Sequence, residues 1–168
     1  MLAACSYEAR KFGIHSAMPM KTAFRLCQYA IIVKSDFEAY SKYSRLVTDV
    51  IQDTVPLYEK ASIDEFYIDL SGIDKYFGCM EFTDELKAKI QRESGLPVSY
   101  GLASNKVVSK IATNEVKPNG QIEIPFGNEK GFLAPLSIME IPGVGKETGY
   151  KLLKMGVETV KVLSEIPH

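Results

Sequence analysis

The pattern of hydrophobic and polar residues predicts a long helix followed by a hairpin in the first half of the chain. Over residues 36–54, apolar side chains recur every three or four positions, as in a helix that buries one face. The residues SDFE at 35–38 have the form of a capping box, and Pro56 ends the pattern. Residues 57–70 predict a β-hairpin, because apolar and polar side chains alternate singly over residues 65–70 and give one apolar and one polar face.

Shorter patterns predict the other elements. We expect short strands at 2–5, 30–33, 98–103 and 121–124, and helices at 19–27, at 83–94 before Gly95, and after a cap at Ser104 or Asn105. Beyond residue 125 the pattern is helical throughout, so a domain boundary is predicted near that residue. The order of elements predicts an α+β fold, in which helices cover one face of a mostly antiparallel sheet.

Composition is that of an ordinary globular protein. The chain has 168 residues, of which 46% are hydrophobic and 24% charged, which excludes a disordered or fibrous protein. No apolar run is long enough to span a bilayer, and the first residues lack the features of a signal peptide, so we expect a cytoplasmic location. Three widely spaced cysteines fit neither a disulfide framework nor a zinc cluster.

The net charge of −1 gives no global signal for a nucleic-acid partner, so any phosphate-binding surface must be local. Two lysine-rich stretches are candidates for such a surface, and ordinary solvated lysines are the alternative interpretation. The first stretch contains Lys106, Lys110 and Lys117; the second contains Lys146, Lys151, Lys154 and Lys161.

Asp64 and Glu65 are the strongest candidates for a metal site. Adjacent acids on a regular strand point to opposite faces, but these two fall at the predicted turn of the hairpin, where that alternation is broken. Carboxylates with open space beside them suit Mg²⁺, which prefers oxygen ligands that include substrate phosphates. A solvated turn is the alternative.

The string SIDEFYID at 62–69 resembles the metal-binding hairpin of Y-family translesion DNA polymerases, in particular their DNA polymerase IV branch. Three more segments resemble that family in the same order. SYEARKFGI at 6–14 is similar to the fingers segment, which implies that Tyr7 and Arg10 bind the incoming triphosphate. The alternative is a core tyrosine and a surface arginine. LPVSYGLASNK at 96–106, continuing to KPNG at 117–120, is similar to the end of the palm. It implies the same role for Lys117, although a lysine that stabilises a helix C-terminus is the alternative.

The fourth segment, LSIMEIPGVGK at 136–146, has the form of a helix-hairpin-helix motif. Glycines there let the backbone come close to a phosphate, and the amides at the start of the next helix hold it. The resemblance assigns DNA backbone binding to Gly143, Gly145 and Lys146. An ordinary turn between two helices is the alternative.

The resemblance implies a fingers segment at 1–30, a ferredoxin-like palm domain at 31–125 and a partial, all-helical thumb at 126–168. It implies template-directed DNA synthesis past lesions by two Mg²⁺ ions, with Mn²⁺ as a substitute and Asp64 and Glu65 as catalytic metal ligands. The expected partners are primer-template DNA, deoxynucleoside triphosphates and, for a full-length protein, a sliding clamp; no membrane partner is expected.

The family's first palm strand, with a further metal-binding aspartate and a steric gate, and its little-finger domain have no counterpart in these residues. We therefore expect these 168 residues alone to have little polymerase activity. Two other functions stay open at this stage. One is a nucleotidyl cyclase, which would need no template, and the other is a DNA-binding module, for which the two acids would be dispensable.

Overall fold

The computed structural model describes residues 1–73 and 78–167. They form two compact units, Met1–Ser41 and Lys42–His168. Among the described residues, no helix is both long enough and apolar enough to cross a membrane. The predicted domain boundaries near residues 30 and 125 remain predictions.

The first unit contains two short helices, α1 (Tyr7–Arg10) and α2 (Met20–Leu26), packed around a small core. Ile14, Met18 and Ala23 are its buried residues. The strands predicted at 2–5 and 30–33 are wrong, because both segments are irregular in the described structure. Leu2 exchanges backbone hydrogen bonds with residues 17 and 18, but this pairing does not extend into a ladder.

The long helix α3 (Phe37–Gln52) confirms the element predicted at 36–54. The Asp36 carboxylate accepts a hydrogen bond from the Ala39 amide at 2.9 Å and so caps its first turn. Val50 and Ile51 on its buried face belong to the main core of the second unit. This apolar face fixes the rotation of the helix and therefore which of its polar residues turn inward.

The predicted hairpin is confirmed as β1 (Tyr58–Lys60) and β2 (Phe66–Ile68), an antiparallel pair with Tyr58 opposite Ile68. Phe66 and Ile68 pack against the core, as the alternation predicts. The next helix, α4 (Cys79–Ser94), starts earlier than the predicted 83. It ends where predicted, because Gly95 adopts the left-handed conformation (φ +71°) that a side chain disfavours.

The second pair of strands, β3 (Tyr100–Leu102) and β4 (Gln121–Glu123), flanks helix α5 (Lys106–Glu115). These strands are parallel, because a helix that connects two strands across one layer returns the chain in the same direction. The antiparallel expectation therefore holds for β1 and β2 alone among the described strands. Of the two caps considered for α5, Asn105 is the one used, accepting from the Val108 amide at 3.0 Å.

Residues 124–167 are helical apart from loops and one isolated bridge, as predicted. They contain α6 (Glu129–Leu133), a short 3₁₀ helix (Ile138–Glu140), α7 (Lys146–Lys154) and α8 (Val160–Ser164). Ile138 is completely buried. The α+β class is confirmed, with a helical C-terminal part.

Glycine at position 101 lets β3 lie directly against α5. A β-carbon at this position would stand 2.6 Å from the Ser109 carbonyl oxygen and 2.8 Å from the Ala112 β-carbon. Ala112 is completely buried, so α5 could not move away from an added side chain without disturbing the packed core. This close contact fixes the position of the helix that carries Lys106 and Lys110.

The loop between α5 and β4 is held by two side chains of α4. The Lys87 ammonium donates to the Asn119 carbonyl oxygen at 2.8 Å and to Oε1 of Gln121 at 2.7 Å. Gln91 donates to the side-chain oxygen of Asn119. Asn119 is left-handed (φ +53°), a conformation that costs free energy unless its surroundings hold it. These contacts therefore position the segment that contains Lys117.

We predict that Gly101→Ala lowers the free energy of unfolding by about 1–3 kcal/mol, because the added methyl group would overpack the contact between β3 and α5. Chemical denaturation measures the change. Gly131→Ala is the matched control, since that helical glycine has nothing within 4 Å of an added β-carbon. Its stability should stay level or rise slightly. Equal effects of the two substitutions would contradict the close contact.

We also predict that Lys87→Met increases amide hydrogen exchange in residues 117–121 by about 10-fold, since two hydrogen bonds to the loop are lost while the aliphatic stem remains. Lys89→Met, on the same helix, is the control, because Lys89 donates instead to Thr54 at 3.0 Å. Unchanged exchange in the Lys87 variant would show that the loop is held by other contacts.

Candidate active site

Asp64 and Glu65 lie in the turn between β1 and β2. The amides of Ala61 and Ser62 both donate to the Glu65 carbonyl oxygen, at 3.0 and 3.2 Å, which closes a tight loop over residues 61–65. The regular ladder begins only at Phe66. Both acids therefore stand outside the strand alternation that would otherwise separate them.

Hydrogen bonds connect the turn and the end of β1 to α3. The Ser44 hydroxyl donates to the Ile63 carbonyl oxygen at 2.6 Å, and the Lys60 ammonium donates to the hydroxyls of Ser44 (2.9 Å) and Thr48 (2.8 Å). Sequence reasoning did not assign Ser44 a role. The available signal was its place in the apolar stripe of α3, where a polar residue needs a hydrogen-bond partner.

The two carboxylates have different surroundings. Asp64 is exposed, and its Oδ1 accepts a hydrogen bond from the Ser62 hydroxyl at 2.7 Å. Glu65 is half-buried, and its Oε2 accepts from the ammonium of Lys110 on α5 at 2.6 Å. That hydrogen bond, more than any other influence, raises the pKa of Lys110 above its ordinary value, so the ammonium stays charged.

One turn before Lys110 on α5, Lys106 forms a second ion pair, with Glu59 of β1. Lys106 also lies 5.5 Å from the centre of the Tyr67 ring. Two of the three lysines in the first basic stretch therefore pair with carboxylates of the hairpin.

The carboxylate oxygens at the turn suit a hard divalent cation that also coordinates a substrate. Both side chains offer carboxylate oxygens, and Asp64 is open to solvent. Residues 1–73 and 78–167 contain no group of three or more acidic, histidine or cysteine side chains that could enclose a metal ion. A cation at Asp64 and Glu65 would therefore have further coordination positions that the described residues do not fill.

Lys117 lies just after α5, in the loop that α4 holds. Its side chain is exposed, and its ammonium donates to Oδ1 of Asn114 at 3.0 Å. The predicted position at a helix terminus is therefore observed, and a charged group there is open to an anionic ligand.

Tyr7 and Arg10 belong to the first unit, where α1 brings them together. The Ser6 hydroxyl accepts from the Ala9 amide at 3.2 Å and caps this single turn. The Arg10 guanidinium lies 5.8 Å from the centre of the Tyr7 ring, and both side chains are exposed. Neither is a core residue, which removes one alternative interpretation of Tyr7.

The three residues assigned to DNA binding lie where α7 begins. Gly143 is left-handed (φ +92°), and Gly145 is the N-cap of α7, whose first residue is Lys146. No side chain caps this end, and a β-carbon at either glycine would meet nothing within 4 Å. The first amides of α7 are therefore accessible from outside the chain.

Comparison with known proteins finds relatives that belong to one family. The family described as IMS, impB/mucB/samB, matches residues 1–114. The chain is 42% identical to a DNA polymerase IV of Dehalococcoides mccartyi (strain CBDB1) over 99% of its own length and 43% of the relative's. It is 39% identical to a DNA polymerase IV of Exiguobacterium sibiricum over 99% of its length and 47% of the relative's. It thus spans less than half of these curated relatives.

Solved structures agree. A DinB family error-prone DNA polymerase from Sulfolobus solfataricus matches with a TM-score of 0.87 and 30% identity, over 98% of this chain and 52% of that one. An insertion ternary complex of Dbh DNA polymerase matches with a TM-score of 0.84 and 31% identity, over 96% of this chain and 48% of that one. On the sequence match to residues 1–114 and on these structures, the chain belongs to the impB/mucB/samB family, the Y-family DNA polymerases.

Proposed function

We propose that this chain carries nucleotidyl-transfer residues of a translesion DNA polymerase, which extends a primer on a damaged template with deoxynucleoside triphosphates. The observation that supports this most directly is the pair of adjacent carboxylates, Asp64 and Glu65, held in a tight turn within a chain of this family. In this proposal the elements around them form a ferredoxin-like palm, with a helical thumb after residue 125.

Asp64 and Glu65 are the proposed metal ligands. Mg²⁺ suits their oxygen donors, and Mn²⁺ would substitute. When bound, such cations supply positive charge that stabilises the attacking and leaving oxygens of phosphoryl transfer. The protein's part is to hold the two carboxylates ready: Ser62 orients Asp64, Lys110 orients Glu65, and Ser44 holds the backbone at Ile63, just before them.

The triphosphate would be bound by cationic and hydroxyl groups that are exposed in the structure. Arg10 is suited to the role because a guanidinium binds phosphate oxygens in a bidentate way. The Tyr7 hydroxyl adds a hydrogen-bond donor. Lys117, in a loop held by α4, would supply a further positive charge. Neutralising the triphosphate in this way helps the pyrophosphate to leave.

The start of α7 would bind the DNA backbone. Its uncapped amides and the positive end of the helix dipole favour a phosphate, and Lys146 adds a charge. Gly143 and Gly145 leave open space for the approach. Contacts of this kind read no base sequence, as a polymerase that moves along its template requires. For a full-length protein we also propose a sliding clamp as partner.

We predict that Asp64→Asn or Glu65→Gln lowers primer extension at least about 100-fold, because the oxygen donors lose their charge. The assay uses the complete protein that the open reading frame encodes, with primer-template DNA, deoxynucleoside triphosphates and Mg²⁺. Glu59→Gln is the matched control, since Glu59 lies on the same hairpin and its carboxylate pairs with Lys106 of α5; it should retain activity. Activity that survives in both site variants, or a cyclic product made without template, would overturn the proposal.

A second prediction concerns the triphosphate. Arg10→Ala should raise KM for the incoming nucleotide by about 10-fold or more, since a charge-assisted hydrogen bond is lost. Steady-state kinetics of single-nucleotide insertion measures it. Lys11→Ala removes a neighbouring charge at the end of the same helix and serves as control. If both variants have the same KM, Arg10 acts only through general charge.

A further inference from the structure

We propose that Lys110 positions the Glu65 carboxylate and, through its charge, limits how tightly Asp64 and Glu65 bind a divalent cation. The inference deepens the proposed function and rests on it, since it concerns the same metal site. It adds a residue outside the carboxylate pair, on a different element, that controls the cation affinity of that pair.

The position of Lys110 is fixed by the core. Val108, Ile111 and Ala112 bury the neighbouring face of α5, and Ala112 has no exposed surface. At Gly101 the backbone of β3 also lies directly against α5. The lysine backbone is therefore anchored, and its ammonium reaches Oε2 of Glu65 at 2.6 Å.

The pair is more enclosed than its neighbour on the same helix. The side chains of Lys110 and Glu65 are 32% and 41% exposed, whereas those of Lys106 and Glu59 are 59% and 58% exposed. Solvent screens the first pair less, so its charges interact more strongly.

Lys110 has two opposing effects on a cation. Its hydrogen bond holds the Glu65 carboxylate in place, which favours binding through preorganisation. Its charge repels a doubly charged ion at the same carboxylate, and its ammonium occupies an oxygen that the ion would use. Because the ammonium both repels the ion and occupies a ligand oxygen, we expect repulsion to dominate. Since the side chains are partly exposed, screening limits the effect to about 3- to 10-fold on the dissociation constant at low salt.

The experiment measures Mn²⁺ binding to the complete protein that the open reading frame encodes, by electron paramagnetic resonance of the free ion, in 20 mM and 500 mM salt. Lys110→Met removes charge and hydrogen bond, Lys110→Gln removes the charge but keeps a donor, and Lys110→Arg keeps both. Lys106→Met is the matched control four residues away on α5. Circular dichroism and thermal unfolding establish that each variant folds.

The expected result is tighter Mn²⁺ binding by Lys110→Met and Lys110→Gln, by about 3- to 10-fold in 20 mM salt and by less in 500 mM salt. Lys110→Arg and Lys106→Met should stay within about twofold of the parent chain. If Lys110→Met binds Mn²⁺ equally well or more weakly, Lys110 does not limit the affinity and the inference is wrong. If Lys110→Met does not fold, Mn²⁺ binding by Lys110→Gln tests the inference by the same criterion.

The double variant Asp64→Asn with Glu65→Gln separates this inference from the proposed function. If the parent chain binds Mn²⁺ and the double variant does not, the carboxylate pair is a metal site whatever Lys110 does. If the parent chain shows no binding that depends on the two carboxylates, the proposed metal site fails and the inference fails with it.

Discussion

A pair of adjacent acids can serve one cation only if the backbone between them departs from the extended strand, and much of the second unit maintains this departure. The turn at 61–65 is closed by two amides on one carbonyl oxygen. Ser44 holds the turn from α3, and Lys110 holds Glu65 from α5. Both helices are anchored by apolar residues, so the exposed acids depend on the core for their geometry.

The same dependence extends to the loop that contains Lys117. Its segment of backbone includes a left-handed asparagine, and such a conformation persists only where neighbouring groups hold it. Lys87 and Gln91, one turn apart on α4, donate to this loop, while Ile90 of the same helix is buried in the core. A surface loop thus acquires a fixed shape from a helix that is itself fixed by burial.

The sequence predicted the elements whose signals are local. Helix α3 and the hairpin follow from apolar spacing, and the ends of α4 and α5 from Gly95 and Asn105. Strands at 2–5 and 30–33 were wrong, since an apolar run becomes a strand only if a partner pairs with it. The parallel direction of β3 and β4 followed from the connection through α5, which the local pattern alone does not reveal.

The residues of the candidate site also divide into those with a local sequence signal and those that meet only in the fold. Asp64 and Glu65 could be proposed because a turn signal and two acids are adjacent in sequence, whereas Lys110, 45 residues away, meets Glu65 only after folding. Its pairing also changes the interpretation of the first basic stretch. Lys106 and Lys110 neutralise hairpin carboxylates, so they offer less charge to a nucleic acid than their spacing implied. In the proposed function, phosphate binding by this chain of net charge −1 would then fall to exposed groups that lack a carboxylate partner among the described residues, such as Lys117 and Arg10.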